Sequence, residues 1–278
     1  MRLSPFHVHA DVLMILGGVW AWYGLTVRRH RSSHPDDRVS RRKVVLFSLG
    51  MATLLVGSSW PIHDLAERYL YSVHMVQHML YSLVAPPLLI AGMPVWLLRR
   101  ILAPRPVAAA FRVLSRPLVA LVVFNAALLF THWPAVVESS VRSQHLHFSL
   151  HVLLVGSALL MWWPVMSPLP EYPPLPLPGQ MLYVFLQSLA PTIPASFLTF
   201  GHSPLYPVYA TFPRIWGISA LTDQLLAGLI MKLVGGAILW VVIATVFFRW
   251  HAKEERDGLD PLKYRDVERD VRLELTKR

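Results

Sequence analysis

The chain has 278 residues, is 54% hydrophobic and has a mean hydropathy of +0.45, which is too apolar for a soluble domain of this length. Only 15% of its residues are charged, and the net charge of +10 lies mostly in short flanks between apolar runs; it therefore points to the lipid bilayer and no nucleic acid is expected as a partner. With no cysteine, disulfides and thiolate metal sites are excluded, leaving His, Met, Asp, Glu and backbone as metal ligands.

Arg2 is followed by His7, and by His9 and Asp11 at the very start of the first apolar run. That order of charge does not suit a cleavable signal peptide. Apolar segments follow at 8–27, 44–60, 71–98, 117–137, 147–166, 180–200 and 223–248. Each approaches the roughly 20 residues that cross a bilayer, so the expected fold is an all-α membrane protein, a seven-transmembrane-helix bundle. Pro86-Pro87 in the third segment predicts a kink or an early end. Residues 1–250 form the transmembrane domain in this reading, with 44–98 and 117–166 as an internal helical-hairpin repeat. Residues 251–278 form a charged tail, either a short surface helix or disordered.

Orientation follows from Lys and Arg. Seven lie between Arg28 and Lys43, five between Arg99 and Arg116, and nine between Arg249 and Arg278. The positive-inside rule puts these connectors in the cytoplasm, with the N-terminus outside and the C-terminus cytoplasmic. The proline-rich stretch 164–178 becomes a stiff cytoplasmic connector. Lys232, deep in the last span, is expected to face the bundle interior. Trp60, Trp133, Trp162, Trp163, Trp216, Trp240 and Trp250 read as interface anchors. Gly17-Gly18, Gly228 and Gly235-Gly236 read as points of close helix packing.

One pattern occurs twice, 73 residues apart. Trp60-Pro61 precedes His74 and His78, and Trp133-Pro134 precedes His147 and His151. In each copy the first His lies 14 residues after the Trp and the second four later. Residues i and i+4 share a helix face, so each pair can hold one ion, and two hairpins can bring four imidazoles together. The same orientation puts His132 and Asp223 at the outer ends of spans, available to orient a ligand or complete a coordination shell. His145 should point elsewhere, and His63 and His202 read as loop histidines. Met75 and Met79 repeat the i, i+4 spacing beside the first pair. Imidazole with thioether suits copper, Cu(I) above all, while zinc stays compatible. Gln77 falls on another side of its helix, as a polar contact.

His74-Met75-Val76-Gln77-His78-Met79, then Pro86-Pro87-Leu88-Leu89 and Gly92-Met93-Pro94, resemble the membrane-integral CtaG-type assembly factors of caa-type cytochrome c oxidase. So do His132-Trp133-Pro134, the His147 to His151 run leading to Trp162-Trp163-Pro164, Leu205-Tyr206-Pro207, and the stretch from Asp223 to Met231. The resemblance spans about residues 60 to 245. Lys232 departs from it, standing where an apolar or aromatic residue is expected. The resemblance implies a non-enzymatic protein of the bacterial cytoplasmic membrane that delivers copper to the oxidase subunit bearing the copper site. It implies His74, His78, His132, His147, His151 and Asp223 as the site. Two other classes use membrane histidines: a di-metal hydroxylase or desaturase, and a haem-binding electron carrier. A homodimer is left open by the sequence.

Overall fold

The computed structural model describes residues 10–258 and 261–276, so His7 and His9 lie outside the described residues. No strand occurs among the described residues; every regular element is helical. Three helix starts are set by serine. The hydroxyls of Ser40, Ser143 and Ser219 accept from the backbone N–H of Lys43, Leu146 and Thr222, satisfying donors that a helix start leaves unpaired.

Among the described residues, six helices are long and apolar enough to cross a membrane: Ala10–Ser33, Arg41–Arg68, Tyr71–Gly92, Gln144–Met166, Leu177–Phe200 and Ala220–Asp257. Leu118, Phe197 and Val241 are among many large apolar side chains exposed on the bundle surface, as lipid contact requires. The expected segment 117–137 differs from the rest. Its helix, Pro117–Thr131, has 15 residues, about 22 Å at 1.5 Å each, short of the roughly 30 Å apolar core. A seventh crossing arises only if it is counted with Arg105–Leu114, from which it bends by 83°.

The elements are numbered here as α1 (Ala10–Ser33), α2 (Arg41–Gly57), α3 (Ile62–Arg68), α4 (Tyr71–Gly92), α5 (Val95–Leu102), α6 (Arg105–Leu114), α7 (Pro117–Thr131), α8 (Pro134–Arg142) and α9 (Gln144–Met166). After these come α10 (Leu177–Leu189), α11 (Thr192–Phe200), α12 (Pro207–Ala210), α13 (Ala220–Asp257) and α14 (Pro261–Thr276).

α4 runs through Pro86-Pro87 without ending there. A π-helical turn, Leu80–Val84, precedes the prolines. The Ser82 carbonyl would accept from residue 86 in an α-turn or 87 in a π-turn, and neither proline has an N–H. The Trp162 indole donates to it instead, at 2.9 Å. Trp162 and Trp163 are therefore buried core residues, at 3% and 5% exposure, rather than interface anchors. A second π-turn, Ile230–Val234, interrupts α13. Lys232, expected inside, is exposed on it; a π-turn inserts an extra residue and so rotates the helix face. Lys232 lines a cavity of about 40 Å³ with Met79, Met161 and Met231.

Glycine packing is selective. A Cβ on Gly92 would lie 2.3 Å from the Phe47 backbone nitrogen, so α2 and α4 meet there backbone to backbone. Gly228 abuts Thr199 and the Ala195 carbonyl in the same way, and Gly235 abuts Met79. Gly17, Gly18 and Gly236, expected to pack closely, face open space. α1 is held to the bundle by Tyr23, whose ring stacks on Phe47 at 3.7 Å and whose hydroxyl donates to the Gly92 carbonyl at 3.0 Å.

The bundle has two distinct ends. Arg99 pairs with Glu171 at 2.7 Å, joining the basic connector to the proline-rich one. Pro164 itself belongs to α9 rather than to that connector. At the opposite end the Tyr206 hydroxyl donates to the His132 carbonyl at 2.8 Å. Burial pushes the Tyr206 hydroxyl up to about 12, so it remains a proton donor at neutral pH. The tail forms α14, whose residues 266–276 are exposed, as a surface helix requires.

Candidate metal centre

The two Trp-Pro repeats build the same local sequence of elements. Each is a helix, a short helix and a long helix: α2, α3, α4 and α7, α8, α9. The 14-residue step from Trp to first His holds the short helix, and extended backbone at Leu70 or Ser143 then starts the long one. Both His pairs thus occupy the first turns of long helices at one end of the bundle.

Within each pair the imidazole centroids are 4.4 Å apart (His74, His78) and 4.3 Å apart (His147, His151). Across the hairpins His74 lies 5.6 Å from His147 and 5.9 Å from His151, and His78 lies 6.0 Å from His151. One ring nitrogen from each of His74, His147 and His151 falls within 4.8 Å of the other two. A side-chain shift of less than an ångström closes that triangle to metal–nitrogen bonds of about 2 Å.

The donor chemistry fits a cation. His74 Nδ1, His132 Nε2 and His151 Nε2 are buried with no hydrogen-bond partner. Each such orphan costs about 1–3 kcal/mol, which a bound metal would offset. His132 is the clearest case. Its Nδ1 lies 2.7 Å from the Leu128 carbonyl, which can only accept, so the proton sits on Nδ1 and the lone pair on Nε2. The His132 ring stands 5.3 Å from that of His78, nearly perpendicular to it.

Asp223 is placed differently from the imidazoles. Its carboxylate accepts from the backbone N–H groups of Tyr71 at 2.8 Å and Ser72 at 3.0 Å, capping the start of α4. It thereby positions the helix that carries His74 and His78. Gln77 is a polar contact as expected, donating to the Gly57 carbonyl at 2.8 Å and to the Tyr81 hydroxyl at 3.1 Å. Met75 is fully buried in the main core and Met79 packs on Gly235. His145 and His202 are exposed.

Two residues enter the site that their sequence positions did not bring forward. His63, read as a loop histidine, is buried on α3, and Glu67 follows it one turn later. Glu67 Oε1 lies 3.2 Å from His63 Nε2 and 3.2 Å from His147 Nε2. The i, i+4 spacing of His63 and Glu67 was a legible signal, hidden by the shortness of the helix.

Two openings reach the cluster. A polar pocket of about 390 Å³ at the histidine end exposes Glu67 and His147 between Arg68 and Arg142. A mostly apolar groove of about 340 Å³ runs from His63, His147 and His151 along α9 to Leu159, with α1 as its other wall.

A family model described as cytochrome c oxidase caa3 assembly factor (Caa3_CtaG) matches residues 21–253. Uncharacterized proteins of Mycobacterium bovis and Mycobacterium tuberculosis are each 25% identical to the chain over 277 residues. The match covers 89% of the chain but 39% of each relative, so the chain spans about two fifths of the length of these curated relatives. No solved structure matches it.

Proposed function

Because the chain belongs to the Caa3_CtaG family of cytochrome c oxidase assembly factors, we propose that it carries copper, held by His74, His78, His147 and His151 near the outer face of the bacterial cytoplasmic membrane, to the oxidase subunit bearing the copper centre. The role is delivery rather than catalysis, and copper is cargo. The observation that carries this reading is the meeting of His74 with His147 and His151, from separate hairpins, within 4.8 Å of one another. His132 adds a lone pair beside His78, and Asp223 fixes the helix that presents the first pair. An all-imidazole set suits copper and tolerates zinc. The basic connectors support an arrangement with the C-terminus cytoplasmic and the histidine end outside.

The test is metal content by mass spectrometry on protein purified from copper-replete membranes, wild type beside His78→Ala and His151→Ala. One or two copper ions per chain, lost in both variants, support a joint site. Folded wild-type protein without copper, or with zinc that copper cannot displace, overturns the reading.

A further inference from the structure

We propose a second, outer cation position formed by His63, Glu67 and His147, which receives a divalent ion from the polar pocket before it reaches the imidazole pocket. The inference rests on the copper reading for where the ion goes next, but not for the existence of the position.

Three observations carry it. One ligand atom from each of His63, Glu67 and His147 falls within 4.8 Å of the other two, as in the inner group of His74, His147 and His151. His147 belongs to both groups. It sits on the first turn of α9, at the boundary between them, with its ring 6.0 Å from that of His63 and 5.6 Å from that of His74.

The second observation is graded access. The side chain of Glu67 is 27% exposed, while those of His63 and His147 are 10% and 9% exposed. Glu67 and His147 line the polar pocket, so the carboxylate faces incoming water and ions while the imidazoles stand behind it.

The third is ligand character. Two imidazoles and a carboxylate form a borderline-to-hard set that takes a divalent ion such as Zn²⁺, Co²⁺ or Cu²⁺. The inner set has imidazoles alone, which hold the same divalent ion, so the transfer involves no change of oxidation state. Arg68 and Arg142 border the pocket, so long-range attraction does not draw in a bare cation. Affinity must come from the three ligands at contact.

The shared His147 makes the transfer stepwise. Exchanging Glu67 and His63 for His74 and His151 around one retained imidazole moves an ion inward without releasing it to water.

The experiment is Co²⁺ titration of the full-length chain in detergent, read by its visible d–d absorption, in a protein with the inner pocket removed by His74→Ala and His151→Ala. The expected result is one bound Co²⁺, with affinity falling at least tenfold on adding Glu67→Gln and partly restored by Glu67→Asp. In parallel, Cu²⁺ bound to the same protein lacking the inner pocket is examined by electron paramagnetic resonance, with and without Glu67→Gln. A change from mixed nitrogen–oxygen to nitrogen-only coordination supports the outer position. Unchanged Co²⁺ affinity, or an unchanged Cu²⁺ spectrum, in Glu67→Gln overturns it. Wild-type protein that binds Co²⁺ through Glu67 but never holds Cu(I) would keep the outer position and sink the copper-delivery reading, so the two failures are distinguishable.

Discussion

The indole of Trp162 donates to the carbonyl of Ser82 at 2.9 Å, on the turn where two consecutive prolines leave that carbonyl with no partner of its own. This bond joins α4 to α9, the helices that carry the two histidine pairs, one turn beyond His78 on α4 and about three turns beyond His151 on α9. Trp162→Phe keeps most of the buried ring but leaves the carbonyl unsatisfied, a loss of about 1–3 kcal/mol. The expected outcome is a lower thermal unfolding midpoint in detergent, with the metal content of the folded protein equal to wild type at low temperature. An unchanged midpoint would mean that water or a local shift replaces the indole.

At Gly92 the backbones of α2 and α4 meet directly, and a Cβ there would meet Phe47 main-chain atoms at 2.3 and 2.6 Å. No rotamer relieves a backbone clash, so Gly92→Ala must separate the helices and disturb the Tyr23 hydroxyl that donates to the Gly92 carbonyl. The expected cost is about 1–3 kcal/mol, as for other overpacked cores. Gly236→Ala, facing open space, is the control and should leave the midpoint within about 0.5 kcal/mol of wild type.

Asp223 separates a positioning role from a ligand role. Its two oxygens accept the first N–H groups of α4. Asn keeps one acceptor there, whereas Ala leaves both donors buried and unpaired at about 1–3 kcal/mol each. If the protein holds copper as proposed, Asp223→Asn should therefore retain most of it and lose little stability, and Asp223→Ala should lose both. If the Asn variant is stable yet loses copper as fully as Ala, the carboxylate is itself a ligand.

The pairing of His74 with His78, and of His147 with His151, is legible from sequence because i, i+4 spacing on a helix is local geometry. Their convergence is legible only through the repeated 14-residue step from Trp, which marks two hairpins of like build. Asp223 stood out in sequence as a candidate ligand and not as the cap of α4, because its partners Tyr71 and Ser72 lie about 150 residues away in sequence. Glu67 was legible only through its i, i+4 spacing from His63, a signal masked because α3 has only seven residues and no apolar periodicity to announce it. The tryptophans near Pro164 misled for a related reason. Composition places a Trp at a span end, but the proline pair in another helix decides that Trp162 is buried.

His132 offers the sharpest test of how far the centre extends beyond the two pairs. It is the residue after α7, its Nδ1 is committed to the Leu128 carbonyl, and its Nε2 lone pair is buried without a partner beside His78. If it binds the ion, His132→Phe should lower copper affinity about 10–100-fold, the usual effect of losing a group that supports metal binding. Removing the orphaned nitrogen should leave stability of the metal-free protein unchanged or raised, because a buried polar atom without a partner is lost with it. Titration with a competing Cu(I) chelator measures the first quantity, and thermal unfolding of metal-free protein the second. Weaker copper binding together with undiminished metal-free stability assigns His132 to the metal. Unchanged copper affinity with lower stability assigns it to the connection between α7 and Tyr206 alone.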